Sequence, residues 1–215
     1  MRMNLDNPVI HALARAYDIL YATALFLLGC LPVVTIGASY TAMHATMMSI
    51  AADSCSGVWT QYTAVFRENF SLSTKLWLAS LPLGALVFTN IGICFVMEQP
   101  ASPILSILRG LTVFTTALYA SIFIYVFAGL SRFYVTWKQA LSNALIWTVK
   151  KLHWTLCLLA ITLLMALCVY LAWFWALPAV ALGLYVQART LNRVFGLKPE
   201  KRTDENPGNE DIHYD

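Results

Sequence analysis

Several side chains near the middle of the first half of this sequence have types that metal chemistry uses. His44 lies among Met43, Met47 and Met48, and imidazole and thioether ligands suit Cu(I). On a helix, Met43 and Met47 lie one turn apart, as do His44 and Met48, but the two pairs point in different directions. Methionine is also an ordinary packing residue. We therefore predict that these side chains pack in a core and hold no metal.

No other pattern in the sequence assembles a reactive site. Asp53 and Cys55 follow His44 without any recognisable order of nucleophile and base. The sequence has no Gly-rich phosphate loop, no HExxH and no GxSxG. No acidic or basic residue lies near the centre of an apolar run, where it would mark an ion path. The sequence thus predicts a protein that is not an enzyme, with no catalytic residues and no cofactor.

The composition places most of this chain in lipid. Hydrophobic residues make up 59% of the 215 residues and charged residues 12%, against about 45–50% and about 25% in ordinary globular proteins. A soluble core of this size would leave much apolar surface in water, so we expect the folding medium to be a lipid bilayer. The net charge of +3 is too small to indicate a nucleic-acid partner.

The apolar runs predict an all-α transmembrane bundle with five strong spans and a shorter sixth segment. A single transmembrane domain would occupy residues 1–197, followed by a disordered cytoplasmic tail at 198–215. The predicted membrane segments are about 17–36, 38–52, 76–97, 104–130, 153–170 and 173–190, with interfacial helices at about 58–70 and 132–150. At about 22 Å, segment 38–52 is shorter than a hydrocarbon core of about 30 Å. It is either re-entrant or completed by flanking residues.

A break between two helices precedes that short segment. Pro32 lacks a backbone donor, the residues after it are β-branched, and Gly37 adopts turns that other residues resist. Small residues then recur every four positions, which permits close approach of helices in lipid. We therefore predict that this helix packs against others and is hidden from lipid. The residues of this structural motif are Pro32, Thr35, Gly37, Thr41, Ala45 and Ser49.

The basic residues predict the threading. With six membrane segments and both termini cytoplasmic, thirteen of the fourteen Lys and Arg residues lie inside, and Arg109 alone lies near the outer face. If segment 38–52 does not cross, Arg2 and Arg15 move outside and the division becomes eleven to three. The positive-inside rule favours the first arrangement. That arrangement puts the Pro32–Gly37 break toward the outer face.

Four polar residues are candidates for contact with a partner or with lipid. Arg67 and Asn69 belong to the amphipathic stretch 58–70, whose polar side is either solvated or docks a cytoplasmic partner. Arg132 either binds a lipid phosphate or anchors the end of a helix. Asn143 lies in the second amphipathic stretch. Within a span, Asn90 is the most polar group, and we expect it to form a hydrogen bond between helices.

The motifs resemble the signature of the YesL-like family of bacterial integral membrane proteins. The resemblance is carried first by residues 30–37 with Thr41-Ala42, and then by 66–70, 131–133, 143–144 and 191–195. Their order and spacing agree over roughly residues 10–197. One departure is Ala38, where the family often has proline. The family has no settled activity, but its members often lie beside ABC-type carbohydrate uptake systems. The resemblance implies a bacterial cytoplasmic membrane and an association with sugar import.

The function predicted from the sequence is that of an accessory or assembly component. The resemblance implies a membrane-protein partner such as a sugar ABC transporter. The small-residue face of 37–49 would supply lateral helix contacts, if the chain does not use that face internally. The alternative is a transporter or channel for a small neutral solute, with the broken helix as a gate. A lipid-handling enzyme would need a cluster of acid, base or metal-binding groups, and the sequence contains none.

Overall fold

All regular structure in the described part of the chain is helical. The computed structural model describes residues 8–96, 103–132, 137–171 and 176–196, so the predicted tail at 198–215 lies outside the described residues. Its elements are α1 (Pro8–Gly29), a 3-10 turn (Val33–Thr35), α2 (Ile36–Ala51), α3 (Val58–Ile91), a π-helical turn (Gly92–Val96), α4 (Pro103–Leu130), α5 (Trp137–Lys150), α6 (Leu152–Leu171) and α7 (Ala176–Phe195). The predicted all-α helical bundle is confirmed.

Four described helical stretches are long and apolar enough to cross a membrane. They are Ile10–Gly29, Val58–Cys94, Pro103–Leu130 and Leu152–Leu171. Their outward side chains are large and apolar, as a lipid environment requires; Phe88 is 79% exposed and Leu163 is 72% exposed. The last helix, α7, is less apolar because polar residues, among them Gln187 and Arg189, occupy its second half. These features indicate a membrane-spanning protein.

Helix α2 forms the centre of the bundle. Thirteen of its 16 residues are buried, and it packs against α1, α3, α4 and α7. The small side chains of this helix allow four neighbours to approach it closely. The prediction that this segment is packed against other helices and hidden from lipid is confirmed.

Helix α3 is one continuous helix of 34 residues where the sequence predicts two elements. Residues 71–75, which are polar except for Leu72, suggest a boundary between an interfacial helix and a span. None of them is glycine or proline, so nothing stops the helix. Pro82 also lies inside the helix without ending it. At 1.5 Å per residue α3 is about 51 Å long. Since a hydrocarbon core is about 30 Å thick, only part of α3 lies within it.

The break between α1 and α2 packs against the middle of α3. The Trp77 indole Nε1 donates to the Val33 carbonyl at 2.9 Å, and Gly37 lies directly against Ser73 and Trp77. Beyond Trp77, α3 continues through residues 78–91, about 21 Å of helix. The predicted position of the break toward the outer face stays a prediction, because it depends on where the membrane lies along α3.

The second half of α3 pairs with the first half of α4. The Thr112 hydroxyl donates to the Asn90 side-chain oxygen at 3.1 Å, which confirms the predicted interhelical bond of Asn90. Nearer the far end, Arg109 Nε donates to the Cys94 carbonyl at 2.9 Å. These paired halves of α3 and α4 extend well beyond the amino-terminal end of α2, which adjoins the break. Arg109 lies at the opposite end of α4 from Arg132.

Candidate functional site

The Thr35 side chain closes the turn between α1 and α2. Its hydroxyl donates to the carbonyls of Gly29 and Pro32, both at 2.7 Å. Gly29 is the last residue of α1, so its carbonyl has no partner within the helix. Pro32 is exposed and extended, with φ −80° and ψ 123°. The turn is thus held by Thr35 and not by the proline itself.

Replacing Thr35 with valine tests this role. Valine keeps the shape and removes the donor, so the Gly29 carbonyl loses its side-chain partner. We expect a loss of about 1 kcal/mol in the free energy of unfolding, measured by denaturant titration in detergent. Thr63→Val is the matched control, because the Thr63 hydroxyl bonds only carbonyls of its own helix, Trp59 and Thr60. Equal losses in the two variants would refute the role of Thr35.

The small-residue face of α2 is occupied by α3. A Cβ on Gly37 would lie 2.6 Å from the Ser73 carbonyl oxygen and 2.6 Å from the Trp77 Cβ. The Thr41 hydroxyl bonds the Ser73 hydroxyl at 2.9 Å in a buried contact. Ala45 and Ser49 continue the same face and are also buried. The face is therefore used inside the chain, and the hypothesis that it supplies contacts to a partner is not supported.

The carboxyl end of α2 has a Schellman cap built on an aspartate. The Ser54 amide donates to the Ser49 carbonyl at 3.0 Å, and the Asp53 amide donates to the Ile50 carbonyl at 3.3 Å. Asp53 takes the left-handed conformation with φ 56°, where glycine is more usual. Its carboxylate forms an ion pair with Arg15 of α1. The cap thus connects the end of α2 to a neighbouring helix.

Three further elements donate hydrogen bonds to this end of α2. Arg132 Nη2 donates to the Ser49 hydroxyl at 3.3 Å, and the Gln61 side-chain amide donates to the same hydroxyl. Asn192 Nδ2 donates to the Met48 carbonyl at 2.8 Å. We call Ser49, Gln61, Arg132 and Asn192 the α2 end cluster. Its donors face the negative end of the α2 dipole, which stabilises a cation there.

The contacts of Arg132 favour anchoring over phosphate binding as its role. Its side chain is half-buried and turned into the protein toward Ser49, and burial lowers the pKa of its guanidinium below the ordinary value. An arginine keeps its charge even so. No described residue accepts a hydrogen bond from its buried Nε. Arg132 joins the end of α4 to the end of α2.

The other three polar candidates do not join this cluster. Arg67 is exposed on α3, and Asn69 Nδ2 donates to the Val65 carbonyl of its own helix at 3.2 Å. Asn143 is half-buried on α5. Among the described contacts none connects these residues to Arg132. Their roles as partner or lipid contacts remain predictions.

The sequence does not indicate Gln61 and Asn192 as site residues. Asn192 lies in the motif 191–195 and Gln61 in the amphipathic stretch 58–70, but neither pattern indicates a polar contact with α2. The cluster consists of amide and guanidinium donors around a hydroxyl and a carbonyl. Such a set fixes helix ends against one another and offers no nucleophile with an adjacent base.

The methionines around His44 pack in the core. Met43, Met47 and Met48 are completely buried within the main hydrophobic cluster. The His44 ring meets the Tyr40 ring edge-on, with 4.4 Å between centroids. This geometry is that of aromatic packing, so the prediction that these side chains pack is confirmed.

A known protein family matches the part of the chain that contains the first three helices. Residues 19–91 match the family described as "Protein of unknown function, DUF624". The matched segment begins within α1, contains the break and α2, and ends at the last residue of α3. It therefore includes the whole contact between α2 and α3. No curated protein and no solved structure matches the chain.

Proposed function

We propose that this protein is a non-enzymatic accessory or assembly component of a bacterial cytoplasmic membrane, acting by contact with another membrane protein. The observation that supports this most is the burial of α2. This helix occupies the centre of the bundle and contacts four other helices. A transporter needs a polar path beside its broken helix, whereas here the helix after the break lies among packed side chains.

The proposed partner is an ABC-type carbohydrate transport system. Support for it comes from the resemblance of this sequence to YesL-like proteins, with which the match of residues 19–91 is consistent. The burial of α2 is independent of that resemblance. Whether this protein acts by contact is therefore a separate question from which protein it contacts.

The exposed side of α5 is the contact surface that we propose. Ala140, Ala144 and Thr148 are buried, and Trp147 packs over Gly129 of α4. The opposite side presents large apolar residues at intervals of three and four: Leu145, Ile146 and Val149. Since small residues hold α5 against its own bundle, these side chains are free to enter an interface with a second membrane protein.

Crosslinking and co-purification in mild detergent test this surface. We expect the wild-type protein to recover the permease subunits of a carbohydrate ABC importer, identified by mass spectrometry. The double variant Leu145→Ser with Val149→Ser should lose them while keeping its helical circular dichroism, because both side chains are exposed. Leu13→Ser is the matched control, since Leu13 is 71% exposed on α1 and away from α5. If the double variant and the control recover equal amounts of the permease subunits, the exposed side of α5 is not the contact surface.

Transport of a small neutral solute is the alternative function. Two apolar cavities of about 490 and 520 Å³ lie on either side of α4, but their apolar walls do not suit a polar solute such as a sugar. Uptake by purified protein in liposomes separates the two functions. An accessory component transports nothing alone, so saturable uptake of a sugar without a partner would contradict our proposal.

A further inference from the structure

An apolar groove lies between α3, α4 and α5. Its volume is about 490 Å³. One wall is formed by Leu76, Ala79 and Leu83 of α3, and aromatic side chains of α4, including Phe123, line the other. Trp137 of α5 stands at one end. Because the walls are nearly all hydrocarbon, the groove fits an apolar chain and not a polar solute.

The length of the groove corresponds to one leaflet of a bilayer. Along α4 it extends from Thr115 to Phe127, about 18 Å at 1.5 Å per residue. Half of a hydrocarbon core of about 30 Å is about 15 Å. A single acyl chain of one leaflet therefore fits along the groove.

One lysine on α3 and one on α5 are sequence neighbours of residues that line the groove. Lys75 is one helical turn before Ala79, so both project from the same face of α3. Lys138 is one turn before Leu141, which lines the groove, and its Nζ lies 5.4 Å from the centre of the Trp137 ring. Tryptophan and lysine at the end of an apolar surface are typical of the boundary between lipid tails and headgroups. The groove is thus apolar along its length and cationic at one end.

We propose that this groove binds an anionic phospholipid of the cytoplasmic leaflet. One acyl chain lies between α3 and α4, and the phosphate lies between the ammonium groups of Lys75 and Lys138. Anionic headgroups are attracted to basic residues at the cytoplasmic ends of membrane helices. The lipid site does not depend on a partner protein, so its failure and the failure of the α5 contact are distinguishable.

Binding of two lipids that differ only in the headgroup tests whether the charges of Lys75 and Lys138 attract an anionic headgroup. The full chain in detergent is titrated with phosphatidylglycerol or phosphatidylcholine of identical acyl chains, and bound lipid is counted by native mass spectrometry. The double variant Lys75→Gln with Lys138→Gln should bind phosphatidylglycerol about 30-fold more weakly and phosphatidylcholine equally well. Arg193→Gln is the matched control, because Arg193 is an exposed cation of α7 that does not line the groove. An equal loss in Arg193→Gln would overturn the proposal.

Filling the groove tests the position of the acyl chain. Ala79→Trp places a large side chain in the groove and leaves both lysines intact. We expect this variant to bind both lipids more weakly while keeping wild-type helical circular dichroism. Unchanged phosphatidylglycerol binding by Ala79→Trp would show that the chain does not lie between α3 and α4. Equal affinity of the wild type for the two lipids would also overturn the proposal.

Discussion

Replacing Gly37 with alanine will lower the free energy of unfolding by about 1–3 kcal/mol. The new Cβ would lie 2.6 Å from both the Ser73 carbonyl oxygen and the Trp77 Cβ. Neither atom belongs to the flexible end of a side chain, so α2 and α3 must move apart. That movement loosens the contact on which the burial of α2 depends. Thermal and denaturant unfolding in detergent measure the loss.

Gly110→Ala is the matched control for this prediction. Gly110 lies inside α4, and nothing outside its own helix is within 4 Å of a Cβ placed there. Alanine is favoured over glycine within a helix by about 0.5–1 kcal/mol. The same chemical change should therefore stabilise the protein at residue 110 and destabilise it at residue 37. A stabilising effect at both positions would contradict the close packing of α2 against α3.

Replacing Ser49 with alanine will destabilise the protein by about 2–4 kcal/mol. The Ser49 hydroxyl accepts hydrogen bonds from Gln61 and Arg132. Alanine at this position leaves both donors without their acceptor. Leaving a buried donor unsatisfied costs about 1–3 kcal/mol, and more for a charged group. The loss is measured by denaturant unfolding. Ser71→Ala, an exposed position on α3, should change stability by less than about 0.5 kcal/mol; a comparable loss there would contradict the role of the α2 end cluster.

The sequence predicts the burial of α2 because the reason for it is local. Small residues every four positions are visible in the chain itself, and their consequence is close helix packing. The contacts at the end of α2 are not local. Arg132 is 83 residues from Ser49, and Asn192 is 144 residues from Met48. A periodic pattern shows which face of a helix is apolar, but not which helix ends meet.

The continuity of α3 and the depth of the break could not be predicted for a similar reason. Residues 71–75 are polar enough to resemble the edge of a membrane span, yet their helix propensity is adequate and the helix continues. The position of the break beside Trp77 results from the fit of Gly37 against Ser73. That fit is a property of two surfaces and is not encoded in the order of apolar segments.

The length of α3 has a consequence for the position of the membrane. Before Trp77, α3 carries the exposed charged residues Arg67, Glu68 and Lys75, whereas residues 78–91 contain none. A hydrocarbon core of about 30 Å therefore fits the second half of α3 and not the first. Because basic residues favour the cytoplasmic side, we propose that the break beside Trp77 lies at the cytoplasmic boundary. On this proposal α1 and α2 form a hairpin that stops there and does not cross, although Ile10–Gly29 is long and apolar enough to do so.

A cysteine at Leu31 tests this position of the hairpin most directly. Leu31 is 77% exposed at the break, and Leu31→Cys would be made in a protein whose native cysteines are replaced by alanine. Whole cells are treated with a membrane-impermeant maleimide, with and without permeabilisation. We predict labelling only after permeabilisation, because the proposed position of the break is on the cytoplasmic side. Labelling in intact cells would put the break at the outer surface and contradict the account.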